Sequence, residues 1–325
     1  MTDKRRVSIR EVSRLSGVSM ATVSRVIHNS GRFSPATEKH VRDVMRQLNY
    51  VPDAIAQSMR TRTMPIVGVI MPDIMDENYA LMVRTLQSEL YANGYSVTVF
   101  NTNEDCALAQ HFVDMLQTQR ACGLVHVPDR DGADINPQGI PIVYFDRQPK
   151  AEPPENSVIV ECNNYVGAKY AVAKLIATGR RTIALLSDER NISSHRERIR
   201  GYHDALAEAG LSAGPAYLVN PQRTTEAISA LQNVVTDGVP FDGIFCTSIR
   251  LTVGALAVLR QAGIPDSAVG VLGFGEHRLH RYGLLPYMAI QEPIIDMSLA
   301  AARALITLIR GETPPQRKIV LDVIH

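Results

Sequence analysis

The side chains with the most recognisable chemistry near the start of the chain lie in a short polar segment from Ser19 to Asn29. Its hydroxyl and amide groups suit hydrogen bonds to phosphate oxygens, which position a protein on a duplex without reading its sequence. Arg25 carries a guanidinium that can bind O6 and N7 of one guanine together. Met20 and Ala21 are apolar and suit thymine methyl groups. We therefore predict contacts to double-stranded DNA from Ser19, Met20, Ala21, Thr22, Ser24, Arg25 and Asn29.

Signatures of catalysis and metal binding are absent from the sequence. It contains no Walker A, GxGxxG, GxSxG or HExxH pattern. The four cysteines are far apart and read as small core residues, and His277 and His280 have no Cys or carboxylate ligands at suitable spacing. We predict no catalytic residues, no metal site and no cofactor, and hence a protein that is not an enzyme.

The polar segment lies between patterns that predict three short helices. Ser8 and Glu11 fit a capping box, and an apolar stripe through Val12 and Leu15 ends at Gly17. Ser19 can cap a second helix, and Ser34-Pro35 has the N-cap and first-turn residues of a third. Two short helices joined by a tight glycine turn and braced by a third form a helix-turn-helix. A three-helix bundle without DNA binding would share this periodicity.

Charge is distributed unevenly along the chain. Residues 1–62 contain 12 Lys and Arg residues against five Asp and Glu residues, a net charge of +7. Residues 63–325 contain 22 against 28, a net charge of −6. This asymmetry is typical of a basic DNA-binding module joined to an acidic body, although a solvated basic face would give the same count.

The remainder of the chain alternates short apolar runs with amphipathic stretches, from Ile66–Met71 to Val269–Gly273. Alternation of this kind predicts parallel sheets covered by helices. Two such sets, divided near residues 147–160, indicate two α/β lobes, and ligands bind beyond the carboxyl ends of such strands. We therefore predict an all-α helix-turn-helix domain followed by a two-lobed α/β body of the type I periplasmic-binding-protein fold.

Several motifs resemble the LacI/GalR (lactose repressor) family. They are Val18-Ser-Met-Ala-Thr-Val-Ser-Arg-Val26, Asn29-Ser-Gly31 and Leu48-Asn-Tyr-Val-Pro52. The resemblance implies a helix-turn-helix over residues 1–51, a hinge helix over 52–62 and an effector-binding and dimerisation domain over 63–325. It also implies that Ala56 and Met59 contact the minor groove, Met59 as an apolar wedge. An ordinary linker with one buried methionine is the alternative.

The resemblance further implies a small-molecule effector in the cleft between the lobes. Arg198 matches an effector-binding arginine of many relatives, and Asp146 matches a second effector-facing position. Structural alternatives are an Asp146–Arg147 pair and a core position for Tyr79. The effector-binding residues predicted in this way are Asp73, Tyr79, Asp146, Arg198, Ser248 and Glu292.

The second lobe departs from the pattern of sugar-responsive relatives. Ser248-Ile249 stands where they carry an Asn-Asp pair, and Glu292 stands where they commonly have glutamine. A buried carboxylate without a partner is costly, so we expect Glu292 to have a donor such as Arg198 or a cationic ligand group. The sequence therefore leaves three possibilities open: a modified sugar or other sugar-like effector, a nucleoside, or no small ligand at all.

These observations together predict a homodimer that binds a palindromic operator, because one helix-turn-helix reads only a few base pairs. No apolar run is long enough to span a membrane, and residues 1–6 lead into a polar helix, so we expect a cytoplasmic repressor. A solute-binding protein for a transporter is the alternative for the body, and the basic module argues against it.

Overall fold

The fold is that of a computed structural model, which describes residues 7–27, 31–48, 50, 63–129, 134–188, 192–219, 231–232, 235 and 240–324. The chain divides into two units, Met1–Met64 and Pro65–His325. Among the described residues, no helix is long and apolar enough to cross a membrane.

Three helices form the first unit: α1 (Ile9–Ser16), α2 (Met20–Ile27) and α3 (Pro35–Gln47). The capping box predicted at α1 is confirmed, since the Ser8 backbone N–H donates to Glu11 Oε2 at 2.8 Å. The N-cap predicted at α3 is also confirmed, with Ser34 Oγ accepting the Thr37 N–H at 3.1 Å. The core of the unit consists of five buried valines, which are Val12, Val23, Val26, Val41 and Val44.

Leu15 corrects one detail of the predicted apolar stripe in α1. Its side chain is 49% exposed, whereas Val12 and Ser16 are buried. The small serine reaches the interior because its hydroxyl donates to the Val12 carbonyl at 2.7 Å, which satisfies the polar group inside the helix.

The second unit contains two parallel sheets, as predicted. The first sheet has the strand order β11-β5-β4-β3-β1-β2 and the second has the order β10-β9-β8-β6-β7. The strands are β1 (Met64–Met71), β2 (Ser96–Asn101), β3 (Ala121–His126), β4 (Ile142–Phe145), β5 (Ser157–Cys162), β6 (Ile183–Asp188), β7 (Ala216–Val219), β8 (Gly243–Cys246), β9 (Gly270–Phe274), β10 (Met288–Ile290) and β11 (Lys318–Leu321).

Helices cover both sheets and divide the unit into two lobes. The first lobe is the β1-containing sheet with the helices α4 (Glu77–Ala92), α5 (Cys106–Thr118) and α10 (Ile294–Ile309). The second lobe is the β6-containing sheet with α6 (Asn164–Ala177), α7 (Ser193–Glu208) and α8 (Ile249–Gln261). A short helix, α9 (Arg278–Arg281), precedes β10. The predicted helix over residues 225–235 falls mostly outside the described residues.

The chain passes between the lobes three times, so a single division near residues 147–160 does not separate them. Strand β5 still belongs to the first sheet, and the chain leaves it for α6 of the second lobe after Cys162. It returns after β10 to form α10 and β11, and Ile324 then pairs with Gln291 beside the second crossing. Local periodicity carries no information about the sheet on which α10 and β11 pack.

Candidate functional site

In the first unit, the tight turn before α2 places one face of that helix in solvent. Gly17 has a φ of +66°, a left-handed conformation that glycine adopts at little cost. Ser19 Oγ then accepts the Thr22 N–H at 3.1 Å, which confirms the predicted cap of α2. Val23 and Val26 point into the core, so the side chains between them point outward.

Of the six described residues that were predicted to contact DNA, four are exposed. Met20, Ala21 and Arg25 are exposed, and Ser19 Oγ lies 2.9 Å from Thr22 Oγ1, so these two hydroxyls already interact. Ser24 is half-buried on the same helix. The other three predicted contacts, Asn29, Ala56 and Met59, lie outside the described residues.

Gly31 packs against the side chain of Arg25, and the sequence did not indicate this contact. It has a φ of +82°, and a Cβ at this position would lie 3.3 Å from Arg25 Cδ. The stem of the arginine therefore rests close to a residue without a side chain, and a larger residue there would displace it.

In the second unit, a cavity of about 90 Å³ lies at the carboxyl ends of strands from both lobes. This is the edge of an open parallel sheet at which ligands bind. All six residues predicted to bind an effector line this one cavity: Asp73, Tyr79, Asp146, Arg198, Ser248 and Glu292.

Arg198 is the centre of the polar network on the side of the second lobe. Its side chain is 4% exposed and donates to Asn164 Oδ1 at 2.7 Å, to the Thr247 carbonyl at 2.8 Å and to Glu292 Oε1 at 2.5 Å. The guanidinium also stacks on Phe274, with Cζ 3.7 Å from the ring centroid. The expectation that Glu292 has Arg198 as its donor is confirmed.

The side chain of Glu292 is 8% exposed and has two partners. Its second oxygen, Oε2, accepts the Asn78 side-chain N–H at 2.6 Å, a contact between the lobes. Burial raises the pKa of Glu292, and the attraction of Arg198 offsets only part of this effect. For Arg198, burial acts to lower the pKa, but Glu292, Cys162 and Asp146 together outweigh it and the pKa is raised. The arginine is therefore held in its charged form.

Asp146 and Tyr79 meet on the side of the first lobe. The Tyr79 hydroxyl donates to Asp146 Oδ2 at 3.1 Å, and Oδ1 of the same carboxylate is buried without a hydrogen-bond partner. Asp146 also has a φ of +65°, an uncommon conformation for a residue with a side chain. Tyr79 is 8% exposed, so its ring is part of the core while its hydroxyl reaches the cavity edge.

Arg147 takes a different partner from the one that the sequence suggests. It donates to both oxygens of Glu104 at 3.1 and 3.2 Å and to the Pro128 carbonyl at 3.0 Å. Its Nε atom is 4.0 Å from Asp146 Oδ2, so the neighbouring carboxylate is only a distant contact. Glu104 follows β2 and Arg147 follows β4. The pair therefore lies at the carboxyl ends of two parallel strands of the same sheet.

Two further contacts close the cleft between the lobes. Arg250, at the start of α8, pairs with Asp73, which follows β1. The Gln148 N–H donates to Ser193 Oγ at 2.8 Å, joining the segment after β4 to the first turn of α7. Ser248 has a structural task as well, since its hydroxyl accepts the Leu251 N–H at the start of α8 at 3.4 Å.

Sequence reasoning did not single out several lining residues as effector contacts. Their positions carry a usable signal, because each follows a buried strand or begins a helix at the carboxyl edge of a sheet. These residues are Asp76, Glu104, Asp188, His195 and Arg250.

Family profiles of known proteins match each of the two units. Residues 8–53 match the profile described as bacterial regulatory proteins of the lacI family, and residues 64–281 match the periplasmic binding proteins and sugar binding domain of the LacI family. The chain is 29% identical to the transcriptional regulator GalR of Escherichia coli K12 over 95% of this chain and 91% of GalR. It is 28% identical to the regulator CelR of Thermobifida fusca over 99% of this chain and 97% of CelR.

Solved structures give the same result for the fold. A complex of the regulator CelR with cellobiose superposes with a TM-score of 0.71 at 25% identity, over 98% of each chain. The lac repressor dimer bound to operator and the anti-inducer ONPF superposes with a TM-score of 0.81 at 21% identity, over 98% of this chain and 97% of that one. With profiles matching both units, the chain belongs to the LacI family of bacterial transcription regulators.

Proposed function

We propose that the chain is a homodimeric, cytoplasmic transcription repressor that binds a palindromic operator and responds to a small molecule in its cleft. The observation that carries this proposal is the capped, solvent-exposed helix α2, which presents Met20, Ala21 and Arg25 on the unit that matches the family profile. Dimerisation doubles the number of base pairs read, which a single short helix needs for specificity. Relatives named as regulators and repressors support a role in regulation rather than catalysis.

In this proposal, residues 1–51 form the DNA-binding domain, 52–62 the hinge and 63–325 the effector-binding and dimerisation domain. Arg25 reads a guanine, and Met20 and Ala21 contact thymine methyl groups. Hydroxyl and amide groups contact phosphates, and Ala56 and Met59 enter the minor groove. The phosphate contacts are those of Ser19, Thr22, Ser24 and Asn29.

The effector would act through the contacts that join the lobes. The residues proposed to contact the effector are Asp73, Tyr79, Asp146, Arg198, Ser248 and Glu292. Two of them, Asp73 and Glu292, already bind residues of the opposite lobe. The cavity of about 90 Å³ is far below the roughly 300 Å³ of a pocket for a drug-sized ligand, so a hexose or nucleoside requires the lobes to separate. A ligand can shift the lobe equilibrium only by its difference in affinity for the two arrangements. A sugar-like molecule or a nucleoside fits this scheme.

The proposal is tested with duplexes selected from a random pool by the full-length protein. Fluorescence anisotropy at about 0.15 M salt, where binding to phosphates alone is weakened, compares the selected duplex with a scrambled one. We expect the selected duplex to bind at least about 1,000-fold more tightly, the lower end for specific DNA-binding proteins. A chain lacking residues 1–62 should lose this preference. Equal affinity of the full-length protein for both duplexes would refute the proposal.

A further inference from the structure

The three arginines that line the cleft are already matched to carboxylates. Arg147 binds Glu104, Arg198 binds Glu292, and Arg250 binds Asp73. The first two of these pairs are less than 10% exposed, so they are shielded from water. A phosphate or carboxylate on a ligand would therefore compete with an internal carboxylate at each of these guanidiniums.

The same lining holds acidic groups beyond those three pairs. The described lining residues also include the carboxylates of Asp76 and Asp146, of which Asp146 has its nearest guanidinium atom, Arg147 Nε, 4.0 Å away. Asp76 accepts the Asn78 N–H at 2.9 Å, and burial raises its pKa despite the attraction of Arg250. The potential in the cleft therefore favours positive charge.

Asp146 is the cleft carboxylate that can still accept a hydrogen bond from a ligand. The residue is 8% exposed and lines the cavity, its Oδ2 accepts the Tyr79 hydroxyl, and its Oδ1 is buried with no hydrogen-bond partner among the described residues. A buried acceptor without a donor is destabilising, more so if it is charged, and a donor that arrives with a ligand removes this cost. Two donors are possible: a neutral hydroxyl and a charged ammonium.

We infer that the effector of this cleft carries a protonated amine that binds Asp146 and is not an anionic molecule. The inference deepens the proposed function and rests on it, because it takes the cleft as the effector site. The ammonium donates to Oδ1 of Asp146 and lies in the field of Asp76. Neutral hydroxyl groups of the same molecule can still use the Arg198–Glu292 network.

The test is calorimetric titration of the full-length protein with matched sets of small molecules. One set is D-glucosamine, D-glucose, N-acetyl-D-glucosamine and D-glucose 6-phosphate, a second is the same set in the galacto configuration, and a third is 1,4-diaminobutane with 1,4-butanediol. Within at least one set, we expect the amine to bind about tenfold more tightly than its hydroxyl partner, because charge-assisted hydrogen bonds are about twice as strong as neutral ones. The acetylated and phosphorylated members should be weaker still.

Substitution then assigns the preference to one side chain. In Asp146→Asn, whose amide oxygen can still accept the Tyr79 hydroxyl, the ratio of amine to hydroxyl affinity should fall to within about twofold. The control is Glu208→Gln, the same change at an exposed carboxylate that pairs with Lys169 at 2.6 Å, and it should keep the ratio. Thermal unfolding verifies that both variants are folded.

The inference is overturned if the neutral or phosphorylated members bind as tightly as the amines, if no amine binds, or if Asp146→Asn keeps the ratio. Operator binding separates this failure from that of the proposed function. A neutral sugar that binds the cleft and changes the affinity of the protein for the selected duplex would refute the amine inference but support the proposed regulator function. If the protein shows no preference between duplexes, the proposed regulator function is itself refuted.

Discussion

The two units place their functional side chains in opposite environments. On α2, Met20 and Arg25 are exposed, and they extend from a helix held by only a few buried valines. In the cleft, Arg198 and Asp146 are almost fully buried, and their hydrogen bonds connect several elements of both lobes. Changes on α2 should therefore alter binding without altering folding. Changes in the cleft should alter both, because a buried charge that loses its partner destabilises the fold.

The largest effect is expected from the Arg198–Glu292 pair. Arg198→Ala should lower the free energy of unfolding of the body by about 3–5 kcal/mol, because it leaves Glu292 buried without its cation. Urea unfolding followed by circular dichroism measures the change. The double variant Arg198→Met/Glu292→Leu should lose much less, because it removes both charges together. A loss below about 1 kcal/mol for Arg198→Ala would show that stability and ligand binding are separable in the cleft.

A second effect concerns His126, which is buried in the body with no partner for either ring nitrogen. Burial lowers its pKa from 6.5 to about 3, and the nearby Arg147 adds to this shift. Between these two values the unfolded chain binds a proton that the folded chain does not, so stability is lost as the pH falls. From pH 7 to pH 4, this single group should remove about 3 kcal/mol from the free energy of unfolding.

His126→Leu isolates that contribution. The variant should lose about 3 kcal/mol less than the original chain between pH 7 and pH 4, and it should be slightly more stable at pH 7 because an unsatisfied polar group is gone. Urea unfolding at a series of pH values gives both numbers. Parallel pH profiles for the two chains would mean that other groups cause the acid sensitivity of the body.

For the first unit, Arg25→Ala should weaken binding to the selected duplex by about 1–3 kcal/mol and relax the preference at one base pair. The unfolding free energy should stay within about 0.5 kcal/mol, as is usual for exposed positions. The control is Arg42→Ala, which removes an exposed arginine of α3 that pairs with Glu38 at 2.8 Å. Equal weakening on all sequences by Arg25→Ala would argue for a phosphate contact instead of base readout.

The smallest effect is expected at a helix cap. Ser34→Ala removes the acceptor for the Thr37 N–H and should destabilise the first unit by about 1 kcal/mol. Hydrogen exchange of the amides in the first turn of α3, measured in the full-length chain, should accelerate about fivefold. Ser34→Asp, which also caps helices, should retain the original rate. Faster exchange throughout the body would show instead that the substitution acts on more than this cap.

Features that depend on local chemistry could be predicted from the sequence. The caps at Ser8 and Ser34 follow from neighbouring residues, and buried strands such as β3 and β8 follow from short apolar runs. The Arg198–Glu292 pair could be predicted as well, because a buried carboxylate requires a donor. The Asp73–Arg250 contact could not, since its partners lie 177 positions apart and meet only through the folding of both lobes. Neither could the exposure of Leu15, which packing against the other helices decides.

The return of the chain to its first lobe has a consequence for biosynthesis. Strand β5 of the first sheet pairs with β4 on one side and with β11, from Lys318–Leu321, on the other. In a nascent chain that has not yet exposed Lys318–Leu321, the buried strand β5 is the edge of the sheet in place of the more exposed β11. An apolar edge strand is a template for aggregation. The helices α1, α2 and α3 contact one another within a short stretch of chain and can already be folded at that stage. The helix-turn-helix can therefore form before the sheet of the first lobe is complete.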